Sequence, residues 1–185
     1  MVNKSVIYLN PAHSPRSPGG VFCGRTEHGD SLELCRALKR ELLLKDGTLP
    51  VEIVPDSTDF SCMSEDDMLF VFHRGTSYKS SPVSGAEIYV KEAASADIQY
   101  DAYRVLSCLC GDKGFRYRRL HTLTGKSPFL RFGAAAPRRA FLLKTGYIDS
   151  AGDNGIFDRE LKYLAQSLAR EIYGMYKERK YEDNS

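Results

Sequence analysis

Several features that would place this chain in a specialised class are missing from its sequence. It has no C-x-x-C pair, and its five cysteines are odd in number and widely spread, so neither a disulfide framework nor a thiolate metal site is indicated. No apolar run approaches the roughly 20 residues that span a bilayer. The N-terminal segment MVNKSVIYLNP also lacks the apolar core and cleavage site of a signal peptide. We therefore expect reduced cysteines, synthesis in the cytoplasm and no membrane insertion.

An excess of charge of one sign is missing as well. The chain has 26 basic and 24 acidic side chains, a formal net charge of +2, which is too small to attract nucleic acid or an anionic membrane. We predict no nucleic-acid partner. Two local basic clusters are interpreted as solvated surface, with a local patch as the alternative. They consist of Arg116, Arg118 and Arg119, and of Arg131, Arg138 and Arg139.

The length and composition are those of one globular domain. The chain has 185 residues, of which 42% are hydrophobic and 27% are charged, and domains of roughly 100 to 200 residues are common. We find no internal repeat, low-complexity tract or linker. The prediction is a domain over residues 1–178, followed by a charged C-terminal tail, residues 179–185, that frays.

Apolar runs and segments with helical spacing alternate along the chain. The predicted strands are 5–9, 51–54, 68–72, 86–90, 114–120 and 139–143, and the predicted helices are 31–45, 94–109 and 157–176. Alternation of this kind predicts an α/β fold, with a mostly parallel twisted sheet of about five to six strands and helices on both faces. The strand MLFVF, apolar throughout, is expected at the centre of the sheet.

Two histidines and one glutamate stand where such a fold binds ligands. His13 follows the first strand, His73 follows the central strand, and Glu27 precedes the first helix, so the fold would bring them to the carboxyl edge of the sheet. Histidines with a carboxylate and an open position for water are typical of catalytic zinc sites. An isolated histidine is more often a core or surface residue, and His28 and His121 are interpreted as surface residues.

Four segments resemble the zinc-dependent N-acetylmuramoyl-L-alanine amidases of type 3. IYLNPAHSPRSPGG is similar to the opening strand and D-P-G-H-G-G loop of that family. RTEHGDSLELCRAL resembles the segment in which a glutamate begins the first helix, DMLFVFHRGTS resembles a strand ending in S-I-H-x-N, and VSGAEIYV resembles G-x-E-x-Y-Y. The resemblance covers roughly residues 5 to 175.

This resemblance implies a zinc ion held by His13, Glu27 and His73, and peptidoglycan or a muropeptide as substrate. It also implies hydrolysis of the amide between N-acetylmuramic acid and L-alanine, as in cell-wall amidases and endolysins that act at the cell wall after release. The sequence departs from the family between the second and third strands. Only residues 55–67 are available there, so the helix that the family carries at this place is expected to be shortened or absent.

A second departure concerns proton transfer. The family has a catalytic glutamate in L-x-E-x-G-F, and this chain has Lys144 at that position, in FLLKTGYID. Three hypotheses remain open. In the first, Lys144 acts as a neutral base after losing its proton. In the second, either Glu87 or Asp149 takes over the acid/base role, or Lys144 stabilises the oxyanion while a second group moves the proton. In the third, the protein binds metal and ligand with little or no turnover.

Two functional hypotheses follow from these residues. The first is a zinc amidase that hydrolyses peptidoglycan. The second is a pseudo-amidase that binds peptidoglycan or a partner protein without hydrolysis, and Lys144 is the residue that favours it.

Overall fold

The fold is built on a six-stranded mixed sheet. The computed structural model describes residues 5–77, 83–111, 113–123 and 129–182, excluding the side chains of 130–131 and 179–182. The sheet strands are β1 (Ile7–Pro11), β4 (Val51–Ile53), β5 (Met68–Gly75), β6 (Ala86–Val90), β7 (Tyr117–Thr122) and β8 (Arg139–Tyr147). Their order is β4-β1-β5-β8-β6-β7. β1, β4, β5 and β8 are mutually parallel, while β6 is antiparallel to β8 and parallel to β7.

Three long helices cover one face of this sheet. They are α1 (Glu27–Lys45), α2 (Ala96–Leu109) and α4 (Ala151–Glu182). Their apolar side chains, such as Leu38, Val105 and Leu168, form one core with the alternate strand residues Phe70 and Phe141. The main core therefore lies between the sheet and these helices, as the 3.6-residue and two-residue periodicities predicted.

The opposite face has a much thinner cover. It consists of a 3₁₀ turn (Phe60–Cys62), the one-turn helix α3 (Leu130–Gly133) and loops. These contribute Phe60 and Phe132 to a second, smaller core over Val71 and Leu142. The prediction that the helix between the strands now labelled β4 and β5 is shortened or absent is confirmed, because residues 55–67 hold only the 3₁₀ turn. The carboxyl ends of the central strands are consequently less covered on this face.

The α/β fold and the mostly parallel six-stranded sheet confirm the prediction. The strand predicted to be central, β5, pairs with β1 and β8. α1 begins four residues earlier than expected, at Glu27, and α4 extends to Glu182. Residues 179–182, assigned from sequence to the charged tail, thus belong to that helix, and residues 183–185 lie outside the described residues. No described helix is both long enough and apolar enough to cross a membrane.

A small hairpin lies between the first strand and the first helix. It consists of β2 (Val21–Phe22) and β3 (Arg25–Thr26), which pair antiparallel. The hairpin leads directly into α1, so it fixes the position at which Glu27 enters the edge of the sheet.

Candidate metal centre

His13, Glu27 and His73 meet at the carboxyl edge of β1 and β5. Glu27 lies between the two imidazoles, with its Oε2 atom 3.1 Å from His13 Nε2 and its Oε1 atom 2.7 Å from His73 Nδ1. One potential ligand atom from each of the three residues lies within 4.8 Å of the others. The three residues singled out in the sequence therefore form one cluster in the folded chain.

The loop that carries His13 is held on both sides. The Ala12 N–H donates to the Phe72 carbonyl at 3.0 Å, next to His73. His28 Nδ1 lies 3.1 Å from the Ala12 carbonyl oxygen, and the backbone N–H of His28 donates to the Pro18 carbonyl at 3.0 Å. His28 is half-buried, so its interpretation as a surface residue was wrong. Because it lies in the first turn of α1, His28 packs against the loop and stabilises it through these two contacts.

Two consecutive glycines form a close wall behind the cluster. A Cβ atom at Gly19 would lie 2.5 Å from His13 Cδ2 and 2.6 Å from Glu27 Oε2, and its φ of +75° is a conformation that glycine adopts most readily. The Gly20 N–H donates to Glu27 Oε2 at 3.1 Å. The backbone can approach the carboxylate this closely because Gly19 has no side chain, whereas a Cβ atom at Gly20 would instead overlap Thr76 Oγ1.

The start of α1 aims Glu27 into the cluster. Thr26 caps the helix, since its side chain accepts from the Gly29 N–H at 3.1 Å, and the Arg74 N–H donates to Glu27 Oε1 at 3.1 Å. Burial alone would raise the pKa of the Glu27 carboxyl, but its hydrogen bonds with His13 and His73 lower the pKa to about 2. Glu27 is therefore an anion at neutral pH.

These donors suit a zinc ion. Two imidazoles and one carboxylate are the protein ligands of many open catalytic zinc sites, and the hydrogen bonds from Gly20 and Arg74 orient the carboxylate as outer partners of ligands do. The Gly19 wall leaves room for the ligand atoms where a side chain would fill the space. Side-chain exposure of 32% for His13 and 16% for His73 leaves the cluster accessible to a substrate.

Lys144 lies next to the cluster but pairs with a different carboxylate. It stands opposite His73 in the β5–β8 register and opposite Glu87 in the β6–β8 register. Its Nζ atom is 3.6 Å from Glu87 Oε2 and 5.2 Å from the centroid of the Tyr89 ring. The ammonium is thus matched with Glu87, whereas both Glu27 oxygens are hydrogen-bonded within the His13–Glu27–His73 cluster.

Glu87 is the centre of a buried polar network. It accepts hydrogen bonds from the Tyr89 hydroxyl at 2.7 Å, from the Tyr147 hydroxyl at 2.8 Å and from Arg118 Nε at 2.8 Å. Burial alone would raise its pKa, but the two phenolic hydrogen bonds and the Lys144 charge lower the pKa to about 2. A carboxylate of this kind is a weak base, so the geometry disfavours Glu87 as the proton acceptor.

Asp149, the other carboxylate considered from sequence, follows β8 at the same edge of the sheet. Its Oδ2 atom accepts from the Ser77 N–H at 3.0 Å and from the Ser77 hydroxyl. Its Oδ1 atom is buried, and no described residue makes a hydrogen bond to it. This oxygen can accept a further hydrogen bond, whereas Glu87 already accepts three.

Arg74 is a structural residue of the site that the sequence reasoning missed. Its side chain is fully buried, pairs with Asp30 of α1 at 2.5 Å and donates to Asn154 of α4 at 2.7 Å. It lies 4.8 Å from the centroid of the Phe157 ring. A charged residue that closely follows an apolar run is usually exposed to solvent. The sequence therefore gave no indication that Arg74 is buried.

His121 was interpreted as a surface residue, and the structure corrects this. The ring is half-buried on β7, stacks on Tyr89 with ring centroids 4.4 Å apart, and lies 3.5 Å from Glu87 Oε2. Burial lowers its pKa. The parallel β6–β7 register, which brings these rings together, was not predicted from the sequence.

The fold is shared with solved structures of cell-wall amidases. An N-acetylmuramoyl-L-alanine amidase from Clostridium difficile 630 matches with a TM-score of 0.75 at 15% identity, over 93% of this chain and 97% of that chain. The catalytic domain of CwlV, an N-acetylmuramoyl-L-alanine amidase from Bacillus (Paenibacillus) polymyxa var. colistinus, matches with a TM-score of 0.72 at 19% identity, over 94% and 98%.

A third match is the CwlD amidase from Clostridioides difficile, solved in complex with the GerS lipoprotein. Its TM-score is 0.73 at 12% identity, over 95% of this chain and 99% of that chain. Comparison with protein-family models and with curated proteins gave no match. The resemblance found in the sequence is confirmed at the level of the fold, since all three structures are amidases of this kind.

Proposed function

We propose, from an amidase fold and the His13–Glu27–His73 cluster, that this chain is a zinc-dependent amide hydrolase. Its substrate is the amide between N-acetylmuramic acid and L-alanine in peptidoglycan or muropeptides, so it acts at the cell wall. The convergence of two imidazoles and one carboxylate at an accessible sheet edge carries the proposal. Bound zinc lowers the pKa of a coordinated water to about 7 and polarises a carbonyl.

The surrounding residues hold the three donor side chains in position. Hydrogen bonds from the Gly20 and Arg74 backbones hold the Glu27 carboxylate in one orientation. The His28 contact with Ala12 fixes the loop of His13, while β5 fixes His73. The cluster is consequently preorganised, which reduces the conformational entropy lost when a ligand binds.

Lys144 contributes positive charge to the site. An ammonium donates hydrogen bonds and accepts none, so in this role it stabilises the oxygen that becomes negative when the carbonyl is attacked. A second group must then accept the proton. Asp149 is the better of the two carboxylates considered, because the oxygens of Glu87 are occupied by Tyr89, Tyr147 and Arg118.

A binding-only pseudo-amidase is the second candidate, and the Lys144–Glu87 pair favours it. The pair replaces the family's acid/base glutamate with a cation that is already matched by a buried carboxylate. In this case the protein holds metal and docks peptidoglycan or a partner protein with little turnover. A positioned base accelerates such a reaction by roughly a hundred- to ten-thousand-fold. The two candidate functions therefore predict measurably different rates of hydrolysis.

Metal analysis combined with muropeptide digestion separates them. For the hydrolase we expect one zinc per chain and release of the peptide by the wild type, with activity reduced in Lys144→Met. For the pseudo-amidase we expect stoichiometric zinc, no digestion by the wild type and digestion by Lys144→Glu. Full zinc stoichiometry in both His13→Ala and His73→Ala would contradict the metal centre itself.

A further inference from the structure

A cavity outside the metal centre lies against the edge strand β7. Its volume is about 350 Å³, and its lining consists of Glu87, Arg116, Tyr117, Arg118, Arg119 and His121. We refer to it as the β7 pocket. Three of its six lining residues are arginines, and these are the residues of the first basic cluster, interpreted from sequence as solvated surface.

The β7 pocket has more positive charge than its own carboxylate balances. Glu87 is matched by Arg118 at 2.8 Å and by Lys144 at 3.6 Å. In the part of the chain that the structure describes, neither Arg116 nor Arg119 forms an ion pair, and both are exposed. Two guanidinium groups are therefore available to an anion, and arginine binds carboxylates in a planar, two-point geometry.

The strand registers connect this pocket to the metal centre in a single row. His73 on β5 is opposite Lys144 on β8, Lys144 is opposite Glu87 on β6, and Glu87 is opposite Arg119 on β7. All four positions lie on the thinly covered face of the sheet, since successive strand residues alternate between faces. The row thus connects the pocket with the His13–Glu27–His73 cluster across three strand spacings.

Aromatic rings follow the same path. The centroid of the His73 ring lies 5.5 Å from that of Phe129, Phe129 lies 5.4 Å from Tyr89, and Tyr89 lies 4.4 Å from His121. The path from the metal centre to the pocket therefore has an apolar wall that ends in basic groups.

We propose that the β7 pocket binds a carboxylate of the peptide part of a substrate whose scissile amide lies at the metal centre. Three strand spacings of about 4.8 Å separate His73 from Arg119, roughly 14 Å in all. An extended peptide advances about 3.4 Å per residue, so the carboxylate belongs to about the fourth residue beyond the amide. The inference rests on the proposed amide hydrolysis for the direction of the substrate.

Calorimetric titration with product-side peptides tests the pocket without requiring turnover. The probes are a tetrapeptide that begins with L-alanine and ends in a free carboxylate, and the same tetrapeptide ending in a carboxamide. We expect the wild type to bind the free acid about ten-fold more tightly than the amide. In the double variant Arg116→Gln/Arg119→Gln this ratio should fall below about two.

The matched control removes the same charge elsewhere. Arg36 and Arg40 are exposed on α1, which packs on the other face of the sheet, so Arg36→Gln/Arg40→Gln should keep the ten-fold ratio. Equal binding of the two peptides by the wild type, absence of binding up to millimolar concentration, or an equal loss in both double variants would overturn the proposal. Zinc content and muropeptide digestion report separately on the proposed function, because the titration can be performed on metal-free protein.

Discussion

At Gly19 a single hydrogen atom in place of a side chain allows the His13 and Glu27 side chains to meet. A methyl group there would overlap His13 Cδ2 at 2.5 Å and Glu27 Oε2 at 2.6 Å. We therefore expect Gly19→Ala to lower zinc affinity by at least ten-fold, measured by competition with a chromophoric chelator. Positive φ adds roughly 1–2 kcal/mol of backbone strain for alanine.

Gly24 separates these two effects. Its φ is +78°, close to that of Gly19, but a Cβ atom there would have no atom within 4 Å. Gly24→Ala should therefore destabilise the fold to a similar extent while keeping the wild-type zinc affinity. Equal zinc affinity in the two variants would show that the close approach at Gly19 is unimportant.

The network around Glu87 makes stability depend on acid pH. Glu87 has a folded-state pKa of about 2, below its ordinary value of 4.5. Its stabilisation is therefore complete above pH 4.5 and is lost as the pH falls towards 2. We expect Glu87→Gln to lower the free energy of unfolding of the metal-free protein by about 2–3 kcal/mol at pH 7 and to have little effect near pH 2.

Urea unfolding at pH 7, 4.5, 3 and 2.5 measures this difference. Glu27 titrates in the same range, but it is present in both proteins and cancels in the comparison. Glu65→Gln is the control, because Glu65 pairs with Arg138 at an exposed position, where ion pairs contribute at most about 1 kcal/mol. A deficit in Glu87→Gln that is the same at every pH would contradict the assigned pKa.

Arg74 joins three elements that position the metal centre. Its guanidinium pairs with Asp30 of α1 and donates to the Tyr147 carbonyl at the end of β8 and to Asn154 of α4. Asp30→Ala would leave this cation buried without its carboxylate, which costs about 3–5 kcal/mol. Arg138→Ala at the exposed Glu65 pair should cost less than about 1 kcal/mol in the same chemical-denaturation experiment.

The double variant Asp30→Leu/Arg74→Met tests this explanation. Removing both charges eliminates the unpaired ion, so we expect it to be more stable than Asp30→Ala. If its loss of stability instead equalled or exceeded the sum of the losses in Asp30→Leu and Arg74→Met, the two charges would not stabilise each other and the explanation would fail.

Elements with strong periodicity could be predicted from the sequence, whereas contacts between elements could not. The apolar run Met68–Phe72 predicted a central strand because both faces of β5 are covered. The position of His73 after that strand then predicted the edge at which it lies. The network of Glu87, Tyr147 and Arg118 depends on strand registers across β8, β6 and β7, and no pattern within one segment encodes them.

Across the whole molecule, the distribution of helices determines which face of the sheet is thinly covered. Alternating strands and helices correctly predicted an α/β domain, but they also predicted helices on both faces of the sheet, whereas the three long helices lie on one face. They share one core on that face, where α1 packs on β1, β4 and β5, α2 packs on β6, β7 and β8, and α4 packs on β8 and on both other helices. The short segment 55–67 leaves the other face with a thin cover.

A metal that binds only the folded chain must also stabilise the whole molecule. At a free zinc concentration 100 times the dissociation constant, the expected gain is about 2.7 kcal/mol, or roughly 5–10 °C in Tm for a domain of this size. We therefore expect a chelator to lower the Tm of zinc-loaded wild type by that amount and to leave His13→Ala unchanged. His121→Gln, which alters a histidine outside the cluster, should keep the wild-type shift. A chelator shift in His13→Ala equal to that of the wild type would place the zinc elsewhere.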